Sequence, residues 1–176
     1  MPMRPVTVRV SSATFSPWIP LNRMSSAFGV AIGVKLPATG SLTYSVQHTF
    51  DDIYERTQAF SISRTTTTAT VTKTTHGLSV GDWLLVTGAG APLDGEYLVA
   101  SVTDANTFTY TVLNSGVTAS PGTAWMQTAR VFPHEDLAAK TASDDGNYAF
   151  PPRACRLRVT TYSSGFADMT VIAGGK

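Results

Sequence analysis

The chain has 176 residues, enough for one domain or two small ones, and 43% of them are hydrophobic, so a packed core is within reach. Only 14% are charged, well below the roughly 25% of an average globular protein, and the formal net charge is +1. That balance gives no electrostatic basis for binding nucleic acid or an acidic membrane, and the single cysteine, Cys155, excludes an internal disulfide and a cysteine-rich metal site.

In chain order, Met1-Pro2-Met3-Arg4-Pro5 leads into a strand and not into a long apolar segment, so no signal peptide is expected. No run approaches the roughly 18 apolar residues of a membrane helix. Val6, Val8 and Val10 alternate with Thr7 and Arg9 as an opening strand. Pro17 and Pro20 flank Trp18, which argues against helix and central strand; an aromatic held between prolines suits a sheet edge or a subunit contact. A second strand runs from Phe28 to Leu36, with Val30, Ile32, Val34 and Leu36 on one face. Ala31 and Gly33 leave its other face flat. Ser41 to Phe50 is the cleanest strand, with Leu42, Tyr44, Val46, His48 and Phe50 on one face, and Asp51-Asp52 ends it.

Composition then changes. Arg64 to Thr75 is almost all threonine, and Ala69 and Val71 keep a period of two, so we read it as the first strand of a new module. From His76 to Val112 three short apolar runs follow one another. Trp83–Val86 stops at Gly88-Ala89-Gly90, Tyr97–Ala100 follows the hairpin dipeptide Asp94-Gly95, and Phe108, Tyr110 and Val112 alternate with threonines after Asp104-Ala105-Asn106. This is an antiparallel meander able to close into a small barrel. It ends near Thr123-Ala124-Trp125, after a turn at Ser120-Pro121-Gly122.

The style of the first part returns after Ala129. Glu135 to Lys140 reads as one or two helical turns, and Asp144-Asp145-Gly146-Asn147 as a turn. Tyr148 and Phe150 precede Pro151-Pro152. Cys155, Leu157 and Val159 share the inward face of a strand, Ser163-Ser164-Gly165 turns the chain, and a last strand runs from Ala167 to Ala173. The expected architecture is therefore all-β: a jelly-roll-like β-sandwich made of residues 1–58 and 129–176, interrupted by a small antiparallel β-barrel at 59–128. Insertions are tolerated at exposed hairpin tips, where the chain leaves and returns close together.

Candidate chemistry is sparse. His48, His76 and His134 show no ligand spacing such as H-x-x-x-H; His48 reads as a satisfied core histidine and His76 as a shaper of the module's opening turn. Asp51-Asp52 and Asp144-Asp145 read as turn formers before they read as a carboxylate pair for glycoside chemistry. Asp144–Asn147 lacks the ligand spacing of a calcium loop. Ser163-Ser164 carries no nucleophile elbow, and Gly88-Ala89-Gly90 is no phosphate loop. We therefore expect no enzyme, no cofactor and no metal. The aromatics that alternation does not assign to a core, Trp18 and Tyr148, suit a contact with a neighbouring subunit, together with Pro17, Pro20 and Phe150. Sugar stacking by Trp18 and Trp125 is the competing reading.

His76-Gly77-Leu78, Gly81-Asp82, Asp94-Gly95-Glu96-Tyr97 and Asp104-Ala105-Asn106-Thr107-Phe108 together resemble a small β module of tailed-bacteriophage virion proteins. That likeness covers about two-fifths of the chain. The segments 16–22, 39–52 and 155–172 are similar in style to small phage structural proteins. The resemblance implies a non-enzymatic capsid decoration, or cement, protein on the outer surface of the virion. Its implied partners are the major capsid protein and further copies of itself, as a homodimer or homotrimer. The inserted module is then a place where a surface glycan binds. Two alternatives follow from the same resemblance: a tail or neck adaptor or fibre-base component, and a carbohydrate-binding module for host attachment.

Overall fold

The computed structural model describes residues 4–21, 29–113 and 116–174, and the side chains of these except 57–60, 117–123 and 174. Met1–Met3, the expected strand start at Phe28, and Gly175-Lys176 lie outside the described residues. The chain forms two compact units, Met1–Phe50 with Phe132–Lys176, and Asp51–Val131. Both are built of antiparallel strands, and no helix occurs among the described residues.

The first unit opens with β1 (Val6–Val10), β2 (Ile19–Pro20), β3 (Gly29–Lys35) and β4 (Ser41–Thr49). The chain then builds the second unit from β5 (Thr57–Thr65), β6 (Thr68–Thr72), β7 (Trp83–Thr87), β8 (Gly95–Asp104), β9 (Thr107–Thr111) and β10 (Val117–Ala129). It returns to the first with β11 (Phe132–Pro133), β12 (Asp144–Tyr148), β13 (Ala154–Ser164) and β14 (Ala167–Gly174).

The first unit's pairings are nested. β1 pairs with β14, β2 with β13, β3 with β12 and β4 with β11. That is one long hairpin folded over on itself. Side joints between β14 and β3 and between β13 and β4 turn it into two four-stranded sheets, β1-β14-β3-β12 and β11-β4-β13-β2. This is the strand order of a jelly roll. The second unit is inserted at the hairpin's tip, between the innermost pair. The core between the sheets follows the alternation of the sequence. Val30, Ile32 and Val34 face Leu42, Tyr44 and Val46, and Leu157, Val159, Met169 and Val171 fill the rest.

The second unit is a closed barrel in the order β10-β5-β6-β9-β8-β7. β10 closes it by pairing with β5 along its first part and with β7 along its last. The residues read as a turn at Ser120-Pro121-Gly122 lie inside β10, where the register with β5 shifts between Ser120 and Ala124. Such an irregularity bends a strand, which a small barrel needs. Phe108, Tyr110, Leu84, Val86, Val71 and Met126 fill the interior. The borders lie outside the expected 59 and 128 because Asp51 and Arg130 join the two ends. The Arg130 Nη2 lies 2.5 Å from Asp51 Oδ1, and the Arg130 backbone N–H donates to Asp51 Oδ2 at 2.7 Å.

Four local expectations are corrected. The threonine run is not one strand but the β5–β6 hairpin, turning at Thr66-Thr67, with Thr66 at φ 56°. Asp94-Gly95 is not a two-residue turn; it ends a longer loop after β7, in which Asp94 Oδ1 accepts the Ala89 N–H at 2.8 Å. Glu135–Lys140 is not helical. Its backbone bonds to β4 instead, with Val46 donating to the Leu137 carbonyl and Tyr44 and Lys140 exchanging both bonds. Asp144–Asn147 is not a turn but the start of β12. Gly146 stands there for close approach: a Cβ on it would lie 2.9 Å from His134 Cε1 and 3.2 Å from Leu137 Cδ1.

Two stability changes of opposite sign follow. A β-branched residue in the left-handed region is strained, so Thr66→Gly should raise the barrel's unfolding free energy by about 0.5–1 kcal/mol. Gly146→Ala should lower that of the sandwich by about 1–3 kcal/mol, through overpacking against His134 and Leu137. Denaturant melts of the two variants beside the parent chain check both.

Candidate functional site

The residues that carry the phage-module resemblance fold the barrel. The His76 ring donates to the Asp104 carbonyl at 2.9 Å from Nε2 and accepts the Leu78 N–H at 3.0 Å on Nδ1. Asp82, buried, accepts the Ser79 N–H at 2.7 Å and the Val131 N–H at 2.9 Å. Asp104 Oδ1 holds the Asn106 N–H at 2.7 Å, and Asn106 Oδ1 holds the Thr75 N–H at 2.9 Å. Trp83 Nε1 donates to Glu96. Each motif residue therefore fixes a turn or a strand end. A polar recess of about 230 Å³ in this unit is lined by Asp51, Asp52, Glu55, Lys73, His76 and Arg130 among others. Asp51 and Arg130 are engaged with each other there.

In the sandwich unit, aromatic side chains gather where β4, β11 and β12 end. His48 lies at the centre. Its ring stands 5.1 Å from that of Tyr148, 5.4 Å from Phe150, 5.5 Å from Phe50 and 5.8 Å from Phe132. His134 packs on Tyr148 at 4.8 Å. The three phenylalanines are not core residues: Phe50 is 48% exposed, Phe150 44% and Phe132 43%. His48 and Tyr148 are 6% and 3% exposed and form the floor. A cavity of about 430 Å³ opens here, lined by those two, Phe132, His134, Glu135, Asp136 and Phe150 among others.

Burial, with His134 close by, pushes the His48 pKa down to about 4, so its imidazole is neutral near pH 7. The His134 ring is oriented by two hydrogen bonds: its Nδ1 accepts the Asp136 N–H at 3.1 Å, and Nε2 donates to the Asn147 carbonyl at 3.1 Å. Burial also drives the Tyr148 hydroxyl upward, so it keeps its proton. Among the described residues no group of three His, Cys, Asp or Glu side chains is arranged to hold a metal ion.

Of the residues expected at an interface, the structure brings together Tyr148 and Phe150. Trp18 is placed elsewhere, on the opposite face of the β4–β13 sheet. Its ring and that of Phe15 each lie 4.4 Å from the guanidinium of Arg156, which is fully buried and donates from Nε to Gln47 Oε1 at 2.9 Å. Pro17 and Pro20 beside it are exposed. Phe50 and Phe132 escaped the sequence reading. Strict alternation assigns Phe50 to the core, and the structure corrects that, since β4 stops at Thr49 and releases Phe50 outward. His48 is not the satisfied histidine expected: its Nδ1 is buried without a hydrogen-bond partner, and rings hold it in place.

No protein-family profile matches the chain, and no curated protein does. Among solved structures the chain is similar to the Phage phi92 endosialidase, at 32% identity over 49% of this chain and a TM-score of 0.36. The match accounts for 15% of the length of that enzyme chain. The chain is also similar to VP17, a capsid protein of bacteriophage P23-77, at 12% identity over 99% of this chain and 98% of that one, with a TM-score of 0.19. Both are phage proteins; at these TM-scores neither likeness assigns this chain its role.

The His48 environment makes sandwich stability depend on pH. The folded pKa, about 4, lies below the unfolded value of 6.5, so the unfolded chain binds more protons between the two. This contribution is complete above pH 6.5 and is lost as pH falls toward 4. Its full size is on the order of 3 kcal/mol. Melts between pH 4 and 7 should show this slope in the parent chain and a flatter one in His48→Phe, which keeps the ring packing.

Proposed function

We propose that this chain is a non-enzymatic bacteriophage structural protein that decorates the capsid. It binds the major capsid protein on the outer face of the shell and stabilises it. The observation that carries the reading is the Phe50–Phe132–Phe150 rim. These are three large apolar side chains, each more than two-fifths exposed, with the Phe50 ring in contact with each of the other two within the His48 cluster. A contiguous aromatic patch of this kind is a feature of protein interfaces and a liability on a free surface. Phe132 lies in β11, and Phe50 and Phe150 lie within two residues of the ends of β4 and β12, so the strands fix where the rings stand. The resemblance of the barrel motifs to a phage virion module supplies the setting. The jelly roll agrees with it by fold analogy alone. On this reading the protein is on the virion surface, self-associates there, and presents its barrel as an appended module.

Purified virions carrying the chain provide the test. With Phe50, Phe132 and Phe150 each replaced by Ala, the protein should stay folded, yet its occupancy on particles should fall by about tenfold or more. Particles lacking it should release DNA at a lower temperature than intact ones. A copy number near six or twelve, as ring symmetry requires at a tail or neck, overturns the shell assignment in favour of an adaptor. Depleted particles that are equally robust but fail to attach to cells overturn it in favour of glycan binding.

A further inference from the structure

The cavity behind the phenylalanine rim has a chemistry of its own. Its walls are ring faces: Phe132, Tyr148, Phe150 and the two imidazoles. Its charges are all of one sign. Glu135 and Asp136 line it and are exposed, and no Lys or Arg does. No ion pair engages either carboxylate among the described residues. Two imidazoles line it as well: His134 Nδ1 accepts a backbone N–H, and burial lowers the His48 pKa. Among the residues that line it, His48 and Tyr148 are themselves buried, at 6% and 3% exposure.

We infer that this cavity is a cation site that receives an arginine side chain of a partner protein, between the aromatic walls and the carboxylates of Glu135 and Asp136. A cation over ring faces is attracted by their quadrupoles, and the gain is larger where water is excluded. Guanidinium fits better than ammonium. It is planar, stacks on rings, is weakly hydrated, and carries five donors in a fixed fork for carboxylates. The inference takes its partner, an arginine presented by the shell protein, from the proposed function, but its test needs no particle.

The full chain is titrated with N-acetyl-arginine methylamide while the His48 and His134 ring resonances are followed by NMR. Saturable shifts of both rings are expected by about 100 mM, where even a millimolar site is filled. The uncharged citrulline analogue should bind at least about tenfold more weakly, and so should the arginine probe to the Glu135→Gln/Asp136→Asn variant. Those two residues are exposed, so the variant should melt like the parent, and Phe150→Ala gives a second disruption that leaves the floor intact. Absence of shifts at the top concentration, or equal responses to arginine and citrulline, overturns the inference. Equal binding of the lysine analogue overturns the choice of guanidinium. If arginine binds and the protein is absent from virion shells, the proposed function fails and the site stands. If the shell is decorated and arginine does not bind, the site fails and the proposed function stands.

Discussion

β4 is the strand on which the sandwich depends, because both of its edges are saturated. On one side it pairs with β13 along nearly its whole length. On the other it pairs with β11 for only two residues, and then with the irregular stretch that follows. A buried strand cannot leave amide groups unpaired, so that stretch must stay extended and run along β4. This requirement overrides the helical propensity of Glu135 to Lys140. It also drives Leu137, fully buried, into the core, and so sets His134 and Leu137 against β12. Gly146 is then needed to let them approach. One backbone constraint thus accounts for an absent helix, a strand where a turn is expected, and the position of His134 over Tyr148.

The strands at Gly29–Lys35 and, as far as Val46, Ser41–Thr49 are visible because one face is buried and a period of two follows directly; Val6–Val10 and Ala154–Ser164 show through their β-branched alternation although their burial is less regular. The all-β class follows from them. Gly146 was opaque because glycine has two uses. Asp-Asp-Gly-Asn spells a turn when only local chemistry is read, while the role of this glycine depends on atoms from residues 134 and 137. The Thr66 turn was invisible for the opposite reason: a threonine occupies a position that a glycine would have announced. The site was half legible. Prolines drew attention to Tyr148 and Phe150, but Phe50 and Phe132 become neighbours only when β4 pairs with β11. That the Trp18 ring packs on Arg156, far along the chain, is likewise beyond any local rule.

That pair illustrates a division of labour among the aromatics. Arg156 is charged and fully buried, an arrangement that is costly unless hydrogen bonds and ring faces replace water. Phe15, Trp18 and Gln47 supply them, so the loop before β2 closes over the sheet's outer face. The Trp18 ring therefore has an intramolecular use. The phenylalanines around His48 have no comparable buried charge to cover. Phe50, Phe132 and Phe150 each remain more than two-fifths exposed.

Why the rim stands at this end of the jelly roll follows from the insertion. In a folded hairpin the innermost pair, here β4 and β11, carries the tightest connection. Placing a barrel between Phe50 and Phe132 removes that tight turn and leaves the pair only two residues long. The end of the sheet then lacks the chain that would have crossed it. Rings of His48, Tyr148 and the three phenylalanines fill the space instead, held by packing more than by hydrogen bonds. A neutral His48 is a condition of that packing, since a charged imidazole there would sit in an apolar ring cluster without a partner. The barrel is inserted between Phe50 and Phe132, at the innermost pair of the jelly roll, and the aromatic rings gather in the sandwich unit where β4, β11 and β12 end.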